Sequence, residues 1–173
     1  MGDSRLVLSN FDAAEAQVAA GASWRGFSDR VMGGVSDAQF SRDTIDGKGC
    51  IRLTGRVTRD SGGGFVQMAL DLTSNGKYLD ASSYAGIEIL VHGNDEDYNL
   101  HVRTADCGWY DDSYRATFHA AARWQTLRLS WGDFEPNRVK LPLDASRLQR
   151  IGLLGWMREF KADLALAEIA LYR

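Results

Sequence analysis

The sequence predicts an all-β domain, a β-sandwich or jelly roll of about eight to ten antiparallel strands. From Phe40 onward, short runs in which apolar and polar residues alternate recur along the chain, and this period of two indicates strands with one buried face. Turn signals such as Ser61-Gly62-Gly63-Gly64 and Asn75-Gly76 separate the runs, and no amphipathic helix of real length interrupts them. The 18 glycines and five tryptophans, with only two prolines, are also typical of a turn-rich β architecture.

Each element follows from its own pattern. Leu6-Val7-Leu8 predicts the first strand, and the alanine-rich stretch from Phe11 to Ala20 predicts one short helix or turn. Two alternating runs, 51–58 and 66–72, flank the glycine turn and predict an antiparallel hairpin, with only Gly55 interrupting the apolar row. Later strands are predicted in 84–91, 98–104, 114–120, 124–131, 151–156 and 164–172, the last with a phase slip that a β-bulge could absorb.

Length and charge narrow the function classes. The 173 residues contain no linker, low-complexity segment or internal repeat, which predicts a single domain over residues 1–173. The net charge of −3 excludes a global basic field that would recruit nucleic acid or an anionic membrane. No apolar run approaches the ~20 residues that cross a bilayer, and the charged N-terminus lacks the apolar core of a secretory signal. We therefore expect a cytoplasmic protein, with Cys50 and Cys107 as reduced, mostly buried thiols.

The segment Trp24–Ser36 is the most individual stretch, because hydrophobic periodicity alone predicts neither a helix nor a clean strand there. Gly33 and Gly34 allow positive φ or a close backbone approach, which is typical of a tight loop. The adjacent residues Asp29 and Arg30 cannot face one another across a helix turn, so each is expected to have its own partner.

Two roles are open for this loop. In the first, Asp29, Arg30, Met32 and the two glycines contact a ligand or partner, with Arg30 offering a planar fork to carboxylate or phosphate. In the second, Asp29 and Arg30 form a polar clasp that fixes the loop. The glycines favour the clasp slightly, since they imply a backbone packed closely against another part of the chain.

The nine residues Ser28–Ser36 resemble the signature of the complex I intermediate-associated protein 30 family. Further landmarks of that family follow in the same order: Gly63-Gly64-Phe65, Tyr98–Thr104, Tyr114–Phe118, Trp124 with Phe134-Glu135-Pro136, and Ile151-Gly152. The resemblance covers roughly Phe11 to Tyr172 and implies a galactose-binding-like jelly roll. It also implies a protein-binding role, because the family's eukaryotic members are assembly factors for mitochondrial respiratory complex I. This chain departs from them in showing no transit peptide.

A second candidate site lies on one predicted strand. Asn99, His101 and Arg103 share its polar face. Such a row either lines a concave binding surface or forms the solvated outer face that antiparallel sheets commonly have.

A third candidate is the aromatic and acidic loop that follows this strand. It contains Trp109, Tyr110 and Tyr114, with Arg115 next in sequence. These aromatics suit sugar-ring stacking or protein recognition, since Tyr and Trp give large, rigid contact areas. Alternatively, they close one end of the sandwich.

Motifs for catalysis, cofactors and metals are lacking. The sequence has no Gly-x-Ser-x-Gly, Walker or Rossmann pattern, and a pairing of Cys107 with His101 or His119 is unspecific. The turn Asp95-Glu96-Asp97 lacks the calcium-loop pattern, and the histidines lack zinc spacing. We therefore predict no catalytic residue, no cofactor and no metal.

The sequence thus predicts a non-catalytic module that binds a protein partner. By resemblance, that partner would be subunits of a redox complex. The alternative is a carbohydrate-binding module, an analogy that rests on fold alone.

Overall fold

The structure is a computed structural model that describes residues 5–11, 17–18, 23–32, 36–58, 64–73, 77–109, 112–156 and 158–173. Within them are thirteen strands: β1 (Leu6–Asn10), β2 (Gln17–Val18), β3 (Ser23–Ser28), β4 (Gln39–Ile45), β5 (Lys48–Val57), β6 (Phe65–Asp71), β7 (Gly86–His92), β8 (Glu96–Thr104), β9 (Ser113–Ala120), β10 (Gln125–Ser130), β11 (Glu135–Asn137), β12 (Leu148–Trp156) and β13 (Phe160–Tyr172). The helical elements in the described residues are short 3₁₀ turns, at Asp29–Met32, Trp131–Asp133 and Ala145–Arg147.

The strands form two antiparallel sheets, of seven and six strands. The predicted all-β sandwich is therefore confirmed. The strand number exceeds the expected eight to ten partly because β2 and β11 have only two and three residues, too few to leave an alternating pattern.

The first sheet is built around β13. Along one edge β13 pairs with β7, and along the other it pairs first with β5 and then with β1. The pairing with β7 shifts register between Leu166 and Glu168, which confirms the phase slip expected in the last strand. Strand β4 extends this sheet beyond β5, and β10 extends it beyond β7.

The second sheet has the order β11-β9-β8-β12-β6-β3. Its central strands bury alternate residues against the core that both sheets share, such as Met68, Leu100 and Leu153. Because side chains alternate across a strand, the residues between them point to the outer face of the sheet. Both cysteines are free and buried, as predicted.

The predicted hairpin between residues 51–58 and 66–72 is wrong. Strand β5 belongs to the first sheet and β6 to the second. Both apolar rows face the same core, but from opposite sides. The period of two reports which face of a strand is buried and carries no information about which sheet holds it. The local hairpin is instead β4–β5, which turns at Asp46 and Gly47 with φ of 50° and 78°, the Asp-Gly pair that a type I′ turn favours.

Two other expectations need correction. The first part of the stretch taken as a loop belongs to the edge strand β3, Ser23–Ser28, whose residues are mostly exposed or half-buried without alternating. Within Phe11–Ala20, Gln17–Val18 form a strand paired with β1 rather than a helix, whereas residues 12–16 and 19–20 lie outside the described residues.

Gly55 interrupts the apolar row of β5 for a steric reason. Its φ is +155°, and a Cβ added there would lie 1.7 Å from the carbonyl oxygen of Asp37. The chain that enters β4 thus crosses β5 in direct contact with this glycine, and any side chain would force the two backbones apart.

We expect Gly55→Ala to lower the free energy of unfolding by about 2 to 3 kcal/mol, because it adds a backbone clash to an unfavourable φ. Gly108→Ala is the matched control, since a Cβ there meets nothing within 4 Å. Urea unfolding of both variants measures the difference. Equal stabilities would show that the contact at Gly55 relaxes without cost.

Candidate binding groove

The outer face of the second sheet forms an open groove of about 970 Å³. Strands β3, β6, β12, β8 and β9 contribute its lining. The pairing registers arrange the outward side chains in rows that run across the strands. Four of these rows define the groove: one forms the floor, one forms one wall, and two adjacent rows contribute to the other wall.

The floor is the middle row, which aligns Arg25, Ala69, Gly152, His101 and Arg115. Its central positions carry only the methyl group of Ala69 and no side chain at Gly152, and an arginine lies at each end of the row. A Cβ on Gly152 would lie 2.1 Å from Nε2 of Gln67. The side chain of Gln67 therefore reaches over the floor in the space that the glycine leaves.

One wall, which we call the polar wall, consists of Asp71, Arg150 and Arg103, aligned on β6, β12 and β8. Arg150 Nε donates to Asp71 Oδ1 at 2.7 Å, and Arg25 Nε lies 3.1 Å from Asp71 Oδ2. A single carboxylate thus lies between two guanidinium groups, one in the wall and one at the end of the floor.

Arg103 joins the polar wall to the loop that follows β8. Its Nη1 donates to the carbonyl oxygens of Trp109 at 2.8 Å and Asp112 at 2.9 Å, and its Nη2 donates to that of Cys107 at 3.4 Å. The Asp112 carboxylate accepts from the backbone N–H groups of Gly108 and Trp109. These bonds fix both the loop and the direction of the Arg103 side chain.

The opposite wall, the apolar wall, consists of Phe27, Leu154, Phe65 and Trp156. Phe27 and Phe65 meet edge to face, with ring centroids 5.9 Å apart and planes at 87°. The guanidinium carbon of Arg115 lies 3.8 Å from the centroid of Trp156, which is a cation–π contact. One face of the indole is therefore covered by an arginine.

His101, which belongs to the floor, packs against Trp156 of the apolar wall. Its ring is 5.6 Å from that of Trp156 at an angle of 78°, and its Nε2 is buried without a hydrogen-bond partner in the described part of the chain. Burial, together with the positive charge of Arg115, lowers the pKa of His101 to about 3. The imidazole is therefore neutral at physiological pH.

The residues predicted on β8 and just after it separate into distinct places. His101, Arg103 and Arg115 line the groove. Asn99 is on the same face of β8, where its Oδ1 accepts from Thr117 Oγ1 at 3.0 Å. Trp109 is 73% exposed in the loop beyond β8.

Tyr114 does not join this surface. It is 1% exposed and packs in the core, and its hydroxyl donates to the carbonyl oxygen of Leu141 at 2.7 Å. A direct contact between Tyr114 and a ligand in the groove is therefore excluded by burial. Tyr110 lies outside the described residues.

Asp29 and Arg30 form a compact polar clasp with Ser36. The fully buried Asp29 carboxylate accepts from Ser36 N at 2.9 Å and Oγ at 2.5 Å, and from the backbone N–H groups of Gly64 and Phe65. Burial raises the pKa of Asp29, but these hydrogen bonds outweigh it, so that the pKa lies below its ordinary value. Arg30 Nε donates to the carbonyl oxygen of Ser36 at 3.0 Å.

The clasp positions one end of the groove, because Phe65 belongs to the apolar wall and its backbone N–H is held by Asp29. This geometry supports the fixing role of Asp29 and Arg30 that the sequence favoured. Gly33 and Gly34, together with the side chain of Met32, lie outside what the structure describes.

Sequence reasoning missed most of the residues that line the groove. Apart from Asp112 and Ser113, the missed residues come from β3, β6 and β12: Arg25, Gly26, Phe27, Phe65, Gln67, Arg150, Gly152, Leu154 and Trp156. Their alternation along β6 and β12 was visible, but the face they share with β8 depends on strand pairing between distant segments.

In the ranges that the structure describes, no group of three or more His, Cys, Asp or Glu side chains could hold a metal ion, and no helix is long and apolar enough to cross a membrane.

Comparison with known proteins gives a family and a fold. The family model described as Complex I intermediate-associated protein 30 matches residues 10–165. A search of curated protein sequences found no match.

Among solved structures, the chain is similar to the family 11 carbohydrate-binding module of a cellulosomal cellulase of Clostridium thermocellum, with a TM-score of 0.74, 12% identity and coverage of 99% of this chain and 96% of that one. A structure of the family 11 module from the same organism, in complex with a β-1,3-1,4-mixed-linked tetrasaccharide, gives a TM-score of 0.72 at 9% identity, covering 99% and 97%. A family 30 carbohydrate-binding module of another cellulosomal cellulase of that organism gives 0.65 at 15% identity, covering 96% of each chain. At these identities the likeness establishes the fold alone.

We expect Asp29→Asn to lower the free energy of unfolding by about 1 to 3 kcal/mol or more, because an amide cannot accept all the buried N–H and O–H groups that the carboxylate satisfies. Arg30→Ala should lower the melting temperature by less, since that side chain is more than half exposed. The control is Asp37→Asn, which removes only the exposed partner of Arg30 and should cost about 0 to 1 kcal/mol. Unchanged melting temperatures for Asp29→Asn and Arg30→Ala, together with lost partner binding, would make the loop a contact site instead.

His101 should make the fold sensitive to mild acid. Its pKa of about 3 in the folded protein lies below the ordinary 6.5 of an unfolded chain, so the unfolded state binds the proton first. Stability should therefore fall as the pH drops below 6.5, by up to about 1.4 kcal/mol for each pH unit.

Urea unfolding at pH 7.0, 6.0, 5.0 and 4.5 checks this effect, with His101→Gln expected to flatten the loss. This range stays above the pH at which Asp29 takes up a proton. His119→Gln, at an exposed position, should keep the wild-type loss. A loss of stability that is the same in His101→Gln and the wild type would contradict the assignment.

Proposed function

Because the chain belongs to the complex I intermediate-associated protein 30 family, we propose that it is a non-catalytic, single-domain binding module that holds an extended segment of a protein partner in the groove. Its role would be to support the assembly of a multi-subunit redox complex, as the family's name suggests. The cytoplasmic location expected from the sequence belongs to the same proposal.

The observation that carries the proposal is the contrast between the two walls. The polar wall offers guanidinium N–H groups, whereas the apolar wall offers mainly the aromatic surface of Phe27, Phe65 and Trp156, because Leu154 is buried. An extended peptide presents its side chains alternately to two sides, so it can satisfy both walls at once. Arginine and aromatic residues are also the types that dominate binding energy at protein interfaces.

The guanidinium groups are held before any partner arrives. Arg150 and Arg25 are fixed by Asp71, Arg103 by backbone carbonyls, and Arg115 by the ring of Trp156. Fixed side chains lose little conformational entropy on binding, which favours recognition of a specific segment.

A carbohydrate-binding role is the second candidate. The fold similarity to carbohydrate-binding modules and the 73% exposure of Trp109 favour it. The aromatic residues of the groove support it less, because a sugar ring stacks on an open, flat aromatic face. One face of Trp156 is covered by Arg115, and Phe27 stands at 87° to Phe65, so these rings form no coplanar platform.

The test is capture of partners from native lysate by the tagged protein and a groove variant. Gly152→Leu should fill the floor, because the atom that its Cβ meets is the end of the flexible Gln67 side chain, which can move. We expect the wild type to recover subunits of a redox complex and Gly152→Leu to recover at least tenfold less. Gly132→Leu, at the 3₁₀ turn after β10, places the same side chain where its Cβ meets only the Ser130 hydroxyl at 3.8 Å, and it should match the wild type.

Equal recovery by Gly152→Leu would place the partner elsewhere, and the absence of redox-complex subunits would count against the assembly role. A glycan array and titration with a β-1,3-1,4-mixed-linked tetrasaccharide address the second candidate. Saturable sugar binding that Gly152→Leu abolishes would favour the carbohydrate role over the peptide one.

A further inference from the structure

The charge and shape of the groove point to the chemistry of its ligand. Resting on the proposed function, we infer that the groove selects an extended acidic peptide in which acidic and apolar side chains alternate. The acidic side chains would face the polar wall and the apolar side chains the opposite wall.

The first argument is charge complementarity. The lining and walls of the groove contain four arginines and two aspartates, Asp112 in the lining and Asp71 in the polar wall, although the whole chain has a net charge of −3. Asp112 is turned toward the N–H groups of Gly108 and Trp109, so it is engaged in holding its own loop. The groove is therefore a basic surface on an acidic protein, and it favours an anionic ligand.

The second argument is the planar geometry of the arginine guanidinium groups. Arginine presents N–H groups in a planar fork that matches a carboxylate, and bidentate pairs of this kind are stronger than contacts between neutral groups. Arg150 and Arg103 are aligned on neighbouring strands, which lie about 4.8 Å apart in a sheet. Their guanidinium groups can therefore receive carboxylates from one side of a single extended chain.

The third argument is length. The floor runs from Arg25 on β3 to Arg115 on β9 and crosses β6, β12 and β8. Four strand spacings of about 4.8 Å make a span of about 19 Å, which an extended peptide of about six residues covers at roughly 3.3 Å per residue. A segment of that length carries three side chains on each side, so about three acidic residues would face the polar wall.

Asp71 provides a test that separates a role in anion binding from a purely structural role. It forms an ion pair with Arg25 and accepts a hydrogen bond from Arg150, so an incoming carboxylate meets the negative charge of Asp71 as well as the positive charges of the arginines. Removing this charge while keeping the amide oxygen should make the site more attractive to an anion. A residue with only a structural role would not strengthen binding when it is changed.

Fluorescence anisotropy with labelled octapeptides tests the inference on the 173-residue protein. The probe alternates Asp and Leu. One control peptide replaces each Asp by Lys, and the other has the same composition with four Asp followed by four Leu. We expect saturable binding of the alternating probe, binding at least tenfold weaker for the block peptide and none for the lysine peptide.

Variants connect this binding to the groove. Arg150→Gln should weaken it about tenfold, whereas Asp71→Asn should strengthen it about threefold. Arg128→Gln, on β10 of the other sheet, loses a comparable ion pair with Glu88 and should leave binding unchanged. Thermal unfolding of each variant separates lost binding from lost folding.

Equal binding of the three peptides, or a response of Arg128→Gln equal to that of Arg150→Gln, would overturn the inference. Tighter binding of an oligogalacturonate than of the alternating peptide would also overturn it, in favour of an acidic glycan. If cross-linking finds a captured partner segment in the groove that is not acidic, the inference fails while the proposed function stands. If no partner is captured and no peptide binds, both fail.

Discussion

The position of β12 between β6 and β8 is the constraint on which the second sheet depends. The two pairings align Gly152 with Ala69 on one side and with His101 on the other. They also commit alternate residues of all three strands to the core. Burial of the apolar rows therefore selects the register, and the register in turn determines which polar side chains meet on the outer face. The packing of the core therefore determines which side chains line the groove. A shift of the strand register by one residue would turn the arginines of the groove toward the core.

Much of the fold could be predicted from local patterns, because alternation identifies buried faces directly. It placed His101 and Arg103 on one face of β8 and anticipated the irregularity near Glu168, both as the structure has them. It could not assign β5 and β6 to different sheets, because apolar rows on opposite sides of one core look alike in sequence. The site was predictable only where it lies within one strand, since Arg150 and Trp156 join it through pairings with segments far away in the chain. Tyr114 shows the remaining ambiguity: a tyrosine can pack its ring in the core and satisfy its hydroxyl there, so aromatic character alone does not indicate exposure.

The segment Trp24–Ser36 stabilises the groove but contributes only a few of the residues that line it. Asp29 accepts four hydrogen bonds from Ser36, Gly64 and Phe65, and through them it joins the turn after β3 to the beginning of β6. A buried carboxylate is costly unless its lone pairs are satisfied, so this cluster has to form as a unit. Asp29 and Ser36, which belong to the segment that resembles the family signature, thus hold two strands of the groove in place.

The edge strand β11 limits how the domain can associate. Pro136, in the middle of this three-residue strand, pairs with Tyr114 and has no backbone N–H to offer to a further strand. Short edges that contain proline are one way in which sheets avoid growing by the addition of strands from other molecules. The second sheet is therefore protected against the addition of a strand at this end. The same feature protects a domain that is rich in strands from stacking into fibrils along that edge.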